Sequence, residues 1–414
     1  MNIELINTGS ELMLGRVLNT HQQWLCRRLA DLGYVVTRQV AVADTGVDIQ
    51  QAVKESLSRA DLVVATGGLG PTSDDITRDL IAQLLGKKLY QDEAVAKHIR
   101  NFFAVRKRPM PGGNLVQALV PEGATVLWNP NGTAPGLAML TRALPKQWLI
   151  LLPGPPRELR PMFDDAVVPL LRREFPPAAP FVCRTLRSTG MGESAVQEKI
   201  GARLKPLIAT GLELGYCARV GQVDVRLAAT GTDAAQLIRD GEAIVRAEIG
   251  AHIFGVEDEH IEEVVVRLLA GQKKTLALAE SCTGGCIAHR ITNVPGASAV
   301  LLAGLVTYAN DAKQTLLGVR AETLAAHGAV SEAVAREMAE GARKRTGADV
   351  AVSVTGIAGP SGGSAEKPVG TAFIGFSSAT ESLAVKVFNP FDRETFKSAT
   401  SQQALELLRR KIVV

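Results

Sequence analysis

The run Leu276-Ala277-Leu278-Ala279-Glu280-Ser281-Cys282-Thr283-Gly284-Gly285 carries an apolar strand into a hydroxyl and two glycines. A strand that turns sharply into a helix exposes such a hydroxyl and points free helix N–H groups back at the turn. That suits a nucleophile with an oxyanion hole, or a phosphate site. The same residues also fit a serine that only caps the helix. A serine nucleophile needs a base. His289, two turns into the helix, and His327, in a loop, read as ordinary histidines. Lys313 is more interesting, because a strand leads Tyr308 and Asn310 into a loop and then into the helix that carries it. A lysine desolvated in a pocket loses enough basicity to deprotonate serine, although a solvated helix lysine fits the pattern equally well. Cys282 is a rival nucleophile without an adjacent histidine to activate it. A further strand, 350–354, runs into Thr355-Gly356-Ile357-Ala358-Gly359-Pro360-Ser361-Gly362-Gly363 and then Lys367-Pro368-Val369-Gly370-Thr371. These glycines allow close backbone contact with a substrate, or form a flexible turn and nothing more.

A second set of residues lies nearer the start. In Thr66-Gly67-Gly68-Leu69-Gly70-Pro71-Thr72-Ser73-Asp74-Asp75, a strand enters glycines and then two adjacent carboxylates at a helix start. Backbone N–H groups there approach a phosphate, but Asp74 and Asp75 would repel it unless a divalent cation lay between. The pattern therefore reads as phosphate plus a magnesium-like metal, or as an aspartate N-cap. Thr8-Gly9-Ser10-Glu11 follows another strand and belongs on the same sheet edge, where α/β ligands sit. Asn129 to Gly136 and Leu152 to Glu158 are rigid Pro/Gly turns that could close a pocket or serve as turns alone.

Three regions must position these residues. Up to about residue 172, β-like runs (3–7, 62–65, 148–152) alternate with helical patterns, the mark of a layered α/β domain. The helix 20–32 gathers Trp24, Leu25, Leu29 and Leu32 on one face and stops at Gly33. Prolines 176, 177 and 180 form a linker. Residues 181–250 read as strand (182–188), helix (194–204), strand (223–229), helix (234–249). From 258 onward come a helix (261–270), a strand (275–279), glycine loops and a closing helix (394–409). With 414 residues the chain exceeds one typical domain, and 46% apolar with 21% charged residues excludes disordered and fibrous classes. A net charge of +4 is too small to argue for nucleic acid. Acids at Glu4 and Glu11 speak against an export signal, and the longest apolar stretch, 297–306, is too short to span a bilayer, so a cytoplasmic protein is expected. Five scattered cysteines (26, 183, 217, 282, 286) suit reduced thiols better than a disulfide framework, and Cys282 and Cys286, four apart, suit small buried side chains better than zinc ligands.

The motifs TGSELMLG, ATGGLGPTSDDITRD, NPNGTAPG and LPGPPREL, then AESCTGG, TYANDAK, GAVSEAVA and GIAGPSGG with KPVGT, follow one another along the chain. In these the chain resembles the CinA family. The resemblance implies an α/β multidomain protein. Its parts would be a molybdopterin-binding-like three-layer α/β/α domain (1–172), a KH-like α+β linker domain (173–257) and an α/β amidase domain (258–414). It implies that the last domain hydrolyses nicotinamide mononucleotide to nicotinate mononucleotide and ammonia. Ser281 would be the nucleophile, Lys313 its base and Tyr308 an assisting hydroxyl. Thr283, Gly284 and Gly285 would support the oxyanion or substrate, Asn310, Thr355, Gly356, Gly359 and Gly362 would shape the pocket, and Arg393 would hold the nucleotide. No cofactor is needed there. For the first domain it implies ADP-ribose pyrophosphatase activity with a divalent metal, magnesium or cobalt, on Asp74 and Asp75. Gly9, Glu11, Gly67, Gly68, Gly70, Thr77, Asn131, Gly132, Pro153 and Gly154 would surround the ligand. The chain departs from the family pattern at His21, often Asn, at Val116, where a basic residue is usual, and at Pro390-Phe391, where a Gly precedes the acid. Gly190-Met191-Gly192-Glu193 lacks the GXXG loop of RNA-binding KH units, so a structural or dimer-forming spacer is expected, with a homodimer and neither nucleic acid nor membrane as partner. Two other readings are a molybdopterin-processing enzyme and a nucleotide-sensing scaffold tied to competence or DNA damage.

Overall fold

The computed structural model describes residues 1–177 and 179–413. Ala178, within the proline linker, lies outside the described residues. The chain divides into two compact units, Met1–Val182 and Cys183–Val414.

The first unit is built on a six-stranded sheet in the order Val36–Val42, Ile3–Thr8, Leu62–Thr66, Gln147–Leu152, Gly136–Arg142, Thr125–Leu127. The first four strands are parallel and the last two antiparallel. Its two central strands, Leu62–Thr66 and Gln147–Leu152, are apolar but for Thr66 and Gln147 at their ends, because both faces are covered. Leu5, Val64 and Ile150 pack under Leu25, Leu29 and Phe163 on one side, and Ile6, Val63 and Leu149 under Ile49, Val53 and Ile99 on the other. The helix Thr20–Asp31 buries Leu25 and Leu29, packs Trp24 and Leu32 at its margin, and ends where Gly33 turns to φ +85°. The register pairs Asn7 with Thr66 and Thr66 with Leu152, so three loops leave the parallel strands at one carboxyl edge.

The second unit holds two sheets. The smaller runs Glu213–Arg219, Gln222–Thr230, Phe181–Thr189, Ile253–Val256, with helices Glu193–Ala209 and Ala234–Ile249. Two of these four strands escape the sequence pattern. Glu213–Arg219 is an edge strand with little buried surface to impose alternation, and Ile253–Val256 is only four residues long. The helix also continues to Ala209 through Pro206.

The larger sheet runs Leu301–Val306, Leu276–Glu280, Val350–Gly356, Thr371–Ser377, Ser382–Phe388. The first three strands are parallel, and antiparallel pairing then closes the far side. Alternate residues of the central strands face opposite ways. Leu276 and Leu278 meet the layer of Ile261–Gly271 and Arg393–Val413, while Ala277 and Ala279 meet Glu332–Thr346, which carries Val334, Met338 and Ala342. Ser281, Thr307 and Ile357 stand just past the carboxyl ends of the three parallel strands. No described helix is long and apolar enough to cross a membrane.

Candidate active sites

The carboxyl edge of the first sheet encloses a cavity of about 410 Å³. Glu11, Gly67, Gly68, Gly70, Asp74, Asp75, Pro153 and Gly154 line it, as do Thr133 and Glu158 from the two Pro/Gly turns and Asp44 and Gln117, which the sequence did not single out. Asp44 follows the strand Val36–Val42 at the same edge, so the strand-end rule that found Glu11 would have found it too. Four expected residues do not line it. The Thr77 hydroxyl is buried beneath Gly68, where a Cβ would come within 2.0 Å of it. Gly132 lets Glu158 lie against the loop, since a Cβ there would be 2.1 Å from Oε2. Asn131 donates to the Arg157 carbonyl at 3.0 Å. A Cβ on Gly9 would lie 2.8 Å from Glu11 Oε1, so that glycine makes room for the carboxylate and does not itself line the cavity.

The N-cap reading of Asp74 or Asp75 does not hold. The helix begins at Thr77 with Ile76 at the cap, because the Thr77 N–H is taken by the Gly68 carbonyl at 3.1 Å. Asp75 instead accepts the N–H and the hydroxyl of Thr72. Asp44 accepts the Ser10 N–H at 3.0 Å, and Glu158 accepts Asn129 Nδ2 at 2.8 Å. Burial pushes the His21 imidazole down.

Five carboxylates and no lysine or arginine line this cavity. Among the described residues no three His, Cys, Asp or Glu side chains converge tightly enough to hold a metal. Such a donor set suits a divalent ion bound by one or two carboxylates that completes its shell with ligand phosphates.

In the second unit the expected serine and lysine meet. Lys313, 1% exposed, sits in the helix Asn310–Leu317 with Nζ 3.2 Å from Ser281 Oγ, 2.9 Å from the Thr307 carbonyl and 3.1 Å from that of Tyr308. Burial pushes its pKa down. The solvated-lysine reading is thereby excluded. Burial drives the neighbouring Cys282 thiol up to about 12, so it stays protonated and a poor attacker at neutral pH. Of the pair expected to be buried, Cys282 is and Cys286 is partly exposed; Cys26 and Cys183 are partly exposed and Cys217 exposed. His289 faces Asn293 on its own helix. His327 ends the helix Ala321–His327 and is not in a loop.

Some expected roles are redistributed. The Gly284 N–H donates to the Ser281 carbonyl at 3.1 Å, and the Gly285 N–H to Glu280 Oε2 at 3.0 Å, so neither amide is free for an oxyanion. The N–H groups of Cys282 and Thr283 donate to no oxygen among the described residues, and the buried Thr283 hydroxyl is unpartnered. Gly284 and Gly285 are needed for shape, at φ +60° and +91°. Tyr308 offers Lys313 its carbonyl, while its phenol accepts Arg393 Nη2 at 2.8 Å. Arg393 also donates to the Gly359 carbonyl at 2.8 Å, which ties the 355–363 loop to the C-terminal helix. Thr355 turns its hydroxyl to the Ala329 carbonyl, and Gly356 and Gly359 give way to Ala372 and Val369, so packing accounts for these three. Asn310 is exposed at the helix start, and Gly362 is open but for Ile357.

The fold and sites define a multidomain α/β protein, and three family models match it in sequence order: "Probable molybdopterin binding domain" over 4–173, "Damage-inducible protein CinA KH domain" over 183–255 and "CinA C-terminal domain" over 258–412. A "CinA-like protein" of Akkermansia muciniphila is 47% identical over 407 residues, 98% of this chain and 96% of its own length. Another "CinA-like protein", from Kosmotoga olearia, is 41% identical over 420 residues, 100% of this chain and 99% of its own. The solved structure of competence/damage inducible protein CihA from Agrobacterium tumefaciens shares 43% identity over 36% of this chain and 94% of its own, with a TM-score of 0.35. The chain belongs to the CinA family.

Proposed function

We propose that the chain is a bifunctional hydrolase of pyridine-nucleotide salvage. Its C-terminal domain would be a nicotinamide-nucleotide amidase and its N-terminal domain a metal-dependent ADP-ribose pyrophosphatase. The observation that carries the first activity is the contact of Lys313 with Ser281. A neutral amine has two N–H donors and one lone pair. The carbonyls of Thr307 and Tyr308 engage the two donors and leave the lone pair for the Ser281 proton. Ser281 Oγ then attacks the carboxamide carbon of nicotinamide mononucleotide, and the Cys282 and Thr283 N–H groups receive the developing oxyanion. On collapse the C–N bond breaks, and the proton held on Lys313 passes to the leaving nitrogen, which departs as ammonia. Water, deprotonated by the same amine, cleaves the ester, yields nicotinate mononucleotide and restores Ser281. Arg393, steadied by the Tyr308 phenol, would hold the nucleotide.

In the N-terminal cavity, Asp74 and Asp75 would hold a divalent ion, magnesium or cobalt, that would supply charge neutralisation and Lewis acidity at the pyrophosphate of ADP-ribose, with Glu11 beside the ligand. The support is that every Asp, Glu, Lys or Arg lining the cavity is a carboxylate, a set that admits a phosphate ligand together with a cation and repels it without one. The thiols, none in a disulfide, suit work in the cytoplasm. The small substrates are the partners we assign, with a homodimer as the assembly and no role for nucleic acid or membrane.

The test is ammonia release from nicotinamide mononucleotide, and separately turnover of ADP-ribose with and without divalent metal. Ammonia release lost in Ser281→Ala and Lys313→Ala supports the reading; wild-type rates in Ser281→Ala overturn it. Turnover of molybdopterin with nucleotide would favour a molybdopterin-processing enzyme instead. Ligand binding without turnover would favour a sensing scaffold.

A further inference from the structure

A glycine-rich turn between a strand and a helix ordinarily offers the helix N-terminus to a phosphate. Here that position is filled from within. Glu280, the last residue of its strand and 1% exposed, turns its carboxylate onto the first turn of Cys286–Thr292. Oε2 accepts the N–H of Gly285 at 3.0 Å and of Ile287 at 3.1 Å, and Oε1 that of Ala288 at 2.8 Å. A substrate phosphate would find these donors taken and a buried negative charge behind them. The helix Arg393–Val413 is closed in the same way, since Asp392 accepts the N–H groups of Glu394 and Thr395.

The cations lie elsewhere. Lys397 follows Arg393 by four residues, on the same helix face. A Cβ built on Gly284 would stand 3.8 Å from Lys397 Nζ, which brings the ammonium over the turn that carries Ser281. That ammonium has no hydrogen bond or ion pair among the described residues, whereas Arg393 is bonded to the Tyr308 phenol and the Gly359 carbonyl. We propose that Lys397 holds the substrate's phosphate beside Arg393, and that Glu280 directs the phosphate to it by occupying the helix N-terminus. The proposal rests on the amidase reading above and adds how that site selects phosphorylated substrates.

Steady-state ammonia release with nicotinamide mononucleotide and with the unphosphorylated riboside tests it in wild type, Lys397→Ala and Lys397→Arg. A lost charge-assisted contact predicts a KM for the mononucleotide raised about tenfold to hundredfold in Lys397→Ala, with kcat little changed. The preference for mononucleotide over riboside, as a ratio of kcat/KM, should fall by the same factor and be largely restored in Lys397→Arg. An unchanged ratio overturns the proposal and leaves Arg393 as the cation that holds the nucleotide. Equal losses on both substrates overturn it as well, because they mark a structural role. If wild type releases no ammonia from either substrate, the amidase reading itself falls, an outcome distinct from an active enzyme indifferent to Lys397.

Discussion

If Lys313 is the base for Ser281, the rate must follow its neutral form. An ordinary lysine, with a pKa near 10.4, would be neutral in only about one molecule in 2,500 at pH 7, and each unit by which burial lowers that value raises the reactive fraction about tenfold. Lys313 is buried, faces two carbonyls and a hydroxyl, and has its pKa pushed down by desolvation. A plot of log kcat/KM against pH should therefore rise with unit slope and level off below the ordinary lysine value. In Lys313→Arg, which stays charged at every accessible pH, the rate should fall by about 10²- to 10⁴-fold, the usual contribution of a general base, and the rise should vanish. Continuous ammonia detection from pH 5 to 10.5, with thermal unfolding to confirm that each variant is folded, supplies the measurement. A profile that keeps the same rise in Lys313→Arg, or a midpoint at the unperturbed lysine value, would refute the assignment.

The same lysine predicts a stability trend. Its lowered folded pKa means that the unfolded chain binds the extra proton, so stability should increase with pH across the interval from the lowered value to the ordinary lysine value, and Lys313→Met should flatten that part of the curve. Glu280→Gln removes an acceptor from amides that are otherwise unpaired, at a cost of about 1–3 kcal/mol, visible as a lower unfolding midpoint; an unchanged midpoint would mean that water replaces the carboxylate. Gly285→Ala should cost about 1–2 kcal/mol from backbone strain alone, since φ is +91° and the nearest contact to an added Cβ is an ordinary 3.6 Å. In Asp75→Asn, metal-dependent ADP-ribose turnover should be lost while ammonia release persists, a result checked by assaying both reactions on one preparation.

Much of the architecture is legible in the sequence because parallel strands covered on both faces read as nearly continuous apolar runs, as in 62–65 and 276–279. Ser281 and Lys313 are legible because each stands where a strand gives way to a helix. What is not legible depends on partners far away in the chain. Tyr308 pairs with Arg393, 85 residues on, and Asp44 with Ser10, 34 residues back. The backbone of the 281–285 turn looks free for an oxyanion until the Glu280 carboxylate is seen to take part of it. Thr77 and Gly132 look like ligand contacts because they belong to tight motifs, yet their tightness serves Gly68 and Glu158. The short strand Ile253–Val256 and the edge strand Glu213–Arg219 carry too little buried surface to leave a pattern.

The central claim is covalent catalysis by Ser281, and acid quenching during turnover of nicotinamide mononucleotide followed by peptide mass spectrometry tests it most directly. The account predicts a nicotinate-mononucleotide acyl adduct on Ser281, absent in Ser281→Ala and accumulating where hydrolysis is slowed. An adduct on Cys282, or steady ammonia release from Ser281→Ala, would contradict it.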